Sequence, residues 1–230
     1  MILQKIFGLK QPLVFFDIIL HFGSLLALLV YFRQNIFKIA VGLVRKEESA
    51  IKIIKLLIIG TLPAVIFGIL LDKQIENIFN SSKIVGFGLI FTSILLFSTK
   101  FVKNNKKEFK QLNEKDAFFI GLLQAISILP GISRSGLTII SGLWRGLSPE
   151  TAFRFSFYLS IPAILGALVF KIKDISFYST QEIIFGIIGM IVAGLVGYLS
   201  LKILEKILKS AKFFWFGFYC LILGLFALMI

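Results

Sequence analysis

The 230-residue sequence has one cysteine, one histidine and only 12 acidic residues. The single Cys220 sits inside an apolar run, so an intrachain disulfide is excluded. Charged residues make up 16% of the chain, where a soluble domain carries about a quarter. Apolar residues make up 57%, and mean hydropathy is +0.93. That balance excludes a disordered chain, a coiled coil and an ordinary soluble enzyme. The stretch Met1–Gln11 carries Lys5 and Lys10 but has no apolar core followed by a small-residue cleavage site, so targeting is expected to fall to the first apolar span. The scarcity of acids leaves a net charge of +13. In a soluble protein this would suggest nucleic acid. Here the basic loops interleave with apolar spans and hold almost no aromatic residues for stacking. The charge reads as positive-inside loop charge, and no nucleic-acid partner is expected.

What is present is a series of apolar runs. A helical span needs roughly 20 residues. Six runs qualify, at about 14–32, 53–71, 84–99, 155–170, 183–201 and 213–230. The fold class is therefore an all-α integral membrane protein, a single membrane domain of about six transmembrane helices. Between the third and fourth runs lies 117–147, whose two apolar arms are each only 11–13 residues long and flank the sequence PGISRSG. Arms of that length suggest a re-entrant hairpin.

Loop charge supports this reading. Placing 33–52, 100–116, 145–154 and 202–212 on the cytoplasmic side puts 17 Lys and Arg there, against 6 on the other side. Residues 116 and 148 then share one side, so the segment between them enters and returns. The first and fourth spans start from opposite sides, which makes 14–99 and 117–230 an inverted-topology repeat. A trace of duplication remains. Shifted by 129, residues 58–78 match 187–207 at nine of 21 positions. Both copies read G-x-x-x-A-x-x-x-G, at Gly60, Ala64 and Gly68 and at Gly189, Ala193 and Gly197. Small residues at that spacing let helix backbones approach closely.

The chemistry-bearing segment is PGISRSGLT, 130–138. Pro130 and Gly131 break the first arm, and Gly136 allows a tight turn before the second. Ser133, Arg134 and Ser135 then sit near the start of a short helix, whose free N–H groups and dipole attract anions. Arg134 adds a forked cation matched to phosphate oxygens, and Ser133, Ser135 and Thr138 add hydroxyl donors. The pattern is an anion pocket inside a membrane; the bland alternative is an arginine snorkelling from a loop tip at the interface. Asp17 and His21, spaced by four, share one helix face. They read either as a polar face toward a cavity that handles protons or as a hydrogen-bonded packing pair. Gln124, six residues before Pro130, either faces the anion or bonds a neighbouring helix. Glu150 and Arg154 follow the helix start at Ser148-Pro149 and read as capping and interface residues. The run KNNKKEFK at 103–110 reads as a solvated loop near anionic lipid.

At PGISRSGLT the chain resembles the bacterial undecaprenyl-diphosphate phosphatase, or bacitracin-resistance, family, which carries a Pro-Gly-x-Ser-Arg-Ser-x-x-Thr motif. Here it is Pro130, Gly131, Ser133, Arg134, Ser135 and Thr138. The stretches FDIILHFGSLLALLVYFR at 16–33 and FSFYLSIPAILGA at 155–167 are similar as well. The resemblance implies a multi-pass enzyme of the bacterial cell membrane that hydrolyses a polyprenyl diphosphate to the monophosphate, recycling the cell-wall lipid carrier. It implies Ser133 and Arg134 as catalytic residues, with Gly131, Ser135, Gly136 and Thr138 binding the substrate phosphate. It also implies a divalent cation, Mg²⁺ or Ca²⁺, with no metal ligand named in this chain. The family has a first motif of two glutamates spaced by four, on a hairpin ahead of the segment that begins here. No E-x-x-x-E pair occurs in these residues. Two further readings stay open at this point: a polyprenyl-phosphate transporter or flippase, and an inactive member or a start placed too late. The nucleophile and a homodimer are likewise left open.

Overall fold

The computed structural model describes residues 14–79, 81–102, 106–171 and 180–229, with the side chains of 14, 15, 17, 72–79, 170, 171 and 180–182 outside the described set. The tail Met1–Gln11, the carboxyl of Asp17, residues 103–105 of the basic run and the loop 172–179 therefore lie outside it. Every described element is helical: α1 Val14–Tyr31, α2 Arg33–Val44, α3 Glu48–Phe79, α4 Ser82–Ser98, α5 Glu114–Ile126, α6 Arg134–Trp144, α7 Pro149–Lys171, α8 Thr180–Lys209 and α9 Trp215–Met229, with two single 3₁₀ turns after α4 and before α5.

Each expected apolar run is a helix, with differences in detail. Among the described residues four helices, α3, α4, α7 and α8, are long and apolar enough to cross a membrane. The pair α1 and α2 adds a fifth span only if counted together, because it bends by 75° near Phe32. The stretch after Arg33, read from its charges as a loop, is instead the helix α2. At 15 residues, α9 is shorter than a full span. The apolar surface faces outward: only 6% of the spanning window of α8 is buried inside the molecule. Helices this apolar pack through small residues and keep large side chains for lipid.

The chain divides into two compact units. One comprises 54–159 and 207–230. Its core is Leu112, Ala117, Ile120, Leu137, Ile139, Ile140, Leu147, Phe155 and Leu159, all fully buried. In it α4 lies against α9 at a glycine pair. A Cβ on Gly86 would stand 2.9 Å from the Gly224 carbonyl oxygen, and one on Gly224 would stand 3.0 Å from that of Gly86. The other unit comprises 11–53 and 160–206. There α1 packs on α8 through Gly23, where a Cβ would fall 2.3 Å from the Met190 carbonyl oxygen, and through Gly197 against Ala27. Tyr31 donates a hydrogen bond to Glu205.

The two short helices α5 and α6 pack on each other as a hairpin. At 1.5 Å per residue, α5 and α6 reach only about 20 and 17 Å, short of a ~30 Å hydrocarbon core. Their outer ends meet. Asp116, in the first turn of α5, accepts from Arg145 Nε just past the end of α6 at 2.9 Å. The same carboxylate accepts from Lys107 Nζ and from the Asn113 amide, the latter at 3.1 Å. Gly146, at φ 83°, closes α6 in the left-handed conformation common at helix C-termini. Its carbonyl accepts from the Lys107 amide at 3.1 Å, and the Ser148 amide donates to the Lys107 carbonyl at 3.0 Å. The basic run is thus not simply solvated: Lys107 is stitched to both ends of the hairpin.

Candidate functional site

The tip of the hairpin rests on α4. Gly131 has φ 83°, and a Cβ there would lie 2.2 Å from the Val85 carbonyl oxygen. A Cβ on Gly88 would lie 2.4 Å from the Pro130 carbonyl oxygen. Two backbones cross where neither chain has a side chain, which lowers the tip directly onto the helix. Ser133 is the N-cap of α6: its Oγ accepts from the Gly136 amide at 3.1 Å. A Cβ on Gly136 would crowd that Oγ at 2.9 Å, so glycine there keeps the cap tight. The Ser133 amide donates to Thr92 Oγ1 at 3.1 Å, and Thr92 donates to the Gly88 carbonyl at 2.9 Å. Anchored this way, the tip leaves the amides of Arg134 and Ser135, the first two of the helix, with no intrahelical acceptor.

Arg134 is held from two sides. Its Nε donates to Gln124 Oε1 at 3.3 Å and its Nη2 to the Leu159 carbonyl at 3.2 Å. Both acceptors are neutral, and among the described residues no carboxylate pairs with Arg134. Two of a guanidinium's five N–H groups are used, and the rest, with the full charge, remain for a ligand. The hydroxyl of Ser133 accepts in the cap and keeps its own proton to donate. Among the described residues the Ser135 hydroxyl meets no hydrogen-bond partner. A neutral cage around a cation, beside free amides and two hydroxyls, has the chemistry that suits an oxyanion.

Thr138 is placed differently. It is buried, and its Oγ1 lies 2.9 Å from the Arg134 carbonyl, 3.3 Å from that of Ser135 and 2.5 Å from Ser156 Oγ. Its hydroxyl is engaged within the protein and ties the first turn of α6 to α7. Gln124 bonds the neighbouring helix at the Gly60 carbonyl (3.3 Å), one of its two expected readings, and its Oε1 also accepts from Arg134 Nε. Gly60, the first glycine of the small-residue pattern, lets α3 and α5 touch: a Cβ on Gly121 would stand 2.4 Å from its carbonyl oxygen. Asp17 and His21 fall in the other unit, and His21 is exposed. Glu150 and Arg154 pair with each other on the surface of α7, and Ser148 Oγ caps that helix at the Thr151 amide.

Thr92, Ser156 and the cluster of Asp116, Lys107 and Arg145 were not singled out by sequence. The first two are lone hydroxyls in apolar helices, a faint signal of an inward face. Asp116 follows Asn113 by three, which marks a helix start but not a buried carboxylate. Among the described residues no three of His, Cys, Asp and Glu gather, and Asp116 is committed to two cations. The described residues do not fit a metal.

A family described as "Bacitracin resistance protein BacA" matches residues 1–226. The chain belongs to the bacitracin resistance protein family. It is a multi-pass integral membrane protein, as its long apolar helices require. Curated relatives of the family are similar over nearly the whole chain. The undecaprenyl-diphosphatase of Carboxydothermus hydrogenoformans is 40% identical, covering 97% of this chain and 85% of that protein. That of Thermosipho melanesiensis is 38% identical, covering 100% and 89%. That of Methanococcus maripaludis strain C6 is 34% identical, covering 91% and 82%.

Proposed function

We propose that this chain hydrolyses undecaprenyl diphosphate to undecaprenyl phosphate and inorganic phosphate, returning the lipid carrier to cell-wall synthesis. The observation that carries this reading is the tip of α6, where Arg134 keeps free N–H groups and an unpaired charge beside the half-buried start of a helix. The family, and the names its relatives carry, supply the substrate class.

In this reading the terminal phosphate sits against the amides of Arg134 and Ser135. Arg134 binds two of its oxygens and stabilises the charge that spreads over them as the bridging P–O bond breaks. Ser135 donates its hydroxyl proton to the same group. Ser133, capping the helix, either donates to phosphate or attacks phosphorus. Water supplies the oxygen that ends on inorganic phosphate, and the lipid monophosphate leaves with the bridging oxygen. Gly131 and Gly136 let the backbone approach, while Thr138 holds the Arg134 and Ser135 carbonyls in the first turn.

The test is phosphate release from undecaprenyl diphosphate by the purified full chain in detergent, with and without Mg²⁺ or Ca²⁺. Release stoichiometric with lipid monophosphate supports the reading. Movement of a labelled lipid phosphate across proteoliposomes with no phosphate release refutes it in favour of transport.

A further inference from the structure

Gln124 is 2% exposed and its amide is divided between two partners, Gly60 O and Arg134 Nε. A carbonyl only accepts and a guanidinium only donates. The two partners therefore dictate the orientation of the amide, with NH₂ toward Gly60 and oxygen toward Arg134. A glutamate of the same size would face a carbonyl with a carboxylate and would cancel the charge of Arg134. A methionine would fill the space and leave the Nε–H unmatched; an asparagine is one methylene short. The Gly60 end of this strut is fixed, because α3 and α5 touch at Gly60 and Gly121. The Leu159 carbonyl fixes the guanidinium on a second side.

Resting on the phosphatase reading of this site, we infer that Gln124 is a positioning residue that holds Arg134 by its Nε edge and aims the remaining N–H groups at the substrate diphosphate. It keeps the cation oriented without neutralising it, which a carboxylate in the same place would not do.

A double-mutant cycle tests this on the purified full chain, with a C15 polyprenyl diphosphate as probe. The dissociation constant is read by calorimetry, and KM and kcat by phosphate release. Gln124→Met is expected to weaken binding and raise KM about tenfold, the value of one hydrogen bond to a charged group. In the Arg134→Lys background, which has no Nε edge to hold, the same change is expected to cost less than threefold. Equal losses in both backgrounds would mean that Gln124 only packs, and no loss with Arg134 present would also overturn the inference. If Gln124→Met does not fold, the isosteric Gln124→Glu decides alone: it should bind the probe more weakly than wild type, and wild-type affinity refutes the inference. The binding cycle needs no turnover. Wild-type chain that binds without releasing phosphate defeats the phosphatase reading and leaves the cycle decisive; wild-type chain that does not bind the probe defeats both.

Discussion

Replacing Asp116 with alanine removes the buried carboxylate that ties the two arms of the α5–α6 hairpin together at its base. Its carboxylate is fully buried and accepts from Lys107, Arg145 and the Asn113 amide. Removing one partner of a fully buried ion pair costs about 3–5 kcal/mol. Here the side chains of Lys107 and Arg145 remain 24% and 39% exposed, so water recovers part of that loss. An expected cost of about 2 kcal/mol follows. It corresponds to a fall in Tm of roughly 4–8 °C for a chain of this size. The measurement is thermal unfolding in detergent. Asp116→Asn, which keeps one acceptor, should fall about half as far. Arg145→Ala should cost little once Asp116→Ala is present, because the two share a contact. An Asp116→Ala protein that melts with wild type, or fully additive losses, would refute the clasp. The pH dependence follows. Burial pushes the Asp116 carboxyl up, but hydrogen bonds from Lys107, Asn113 and Arg145 outweigh it and hold the group below its ordinary value of 3.8. A depressed folded value means that the contribution is complete above the unfolded value and is lost as pH falls through the folded one. The Tm difference between wild type and Asp116→Ala should therefore stay constant above about pH 5 and shrink in acid.

Other outcomes follow from the same contacts. Gly131→Ala forces a Cβ into the Val85 carbonyl at a positive φ, so it should cost more than about 3 kcal/mol and abolish the folded species in size-exclusion chromatography. Ser133→Ala removes the N-cap of α6 and should lower Tm by the equivalent of about 1 kcal/mol, while phosphate release falls further than stability explains. Thr138→Val keeps the volume but loses the links to Arg134 O and Ser156. It should raise KM with only a small change in Tm, as measured by parallel kinetics and melting.

Much of the fold was legible because lipid imposes one rule. A backbone in hydrocarbon must satisfy itself, so apolar runs become helices and short arms become a hairpin. The hairpin 117–147 emerged from arm length and loop charge alone, and the structure closes it through Asp116 and Arg145. What periodicity cannot supply is a bend at Phe32, because no proline or glycine marks it. The candidate site was legible where side-chain type dictates chemistry, at Arg134, and at Gly131, where the missing side chain lets the tip meet α4. It was illegible where the partner is a backbone atom or a lone hydroxyl far along the chain. Nothing in the local sequence ties Gln124 to Gly60, or Ser133 to Thr92, 41 residues away.

The central claim is that the cation at the tip of α6 stabilises phosphate charge during hydrolysis. The direct measurement is kcat/KM for undecaprenyl diphosphate with wild type and Arg134→Ala, at matched folded fractions. A loss of at least about 100-fold, carried mainly by kcat, is predicted for removing a donor to a developing oxyanion. Equal kcat/KM in the two proteins would contradict the account.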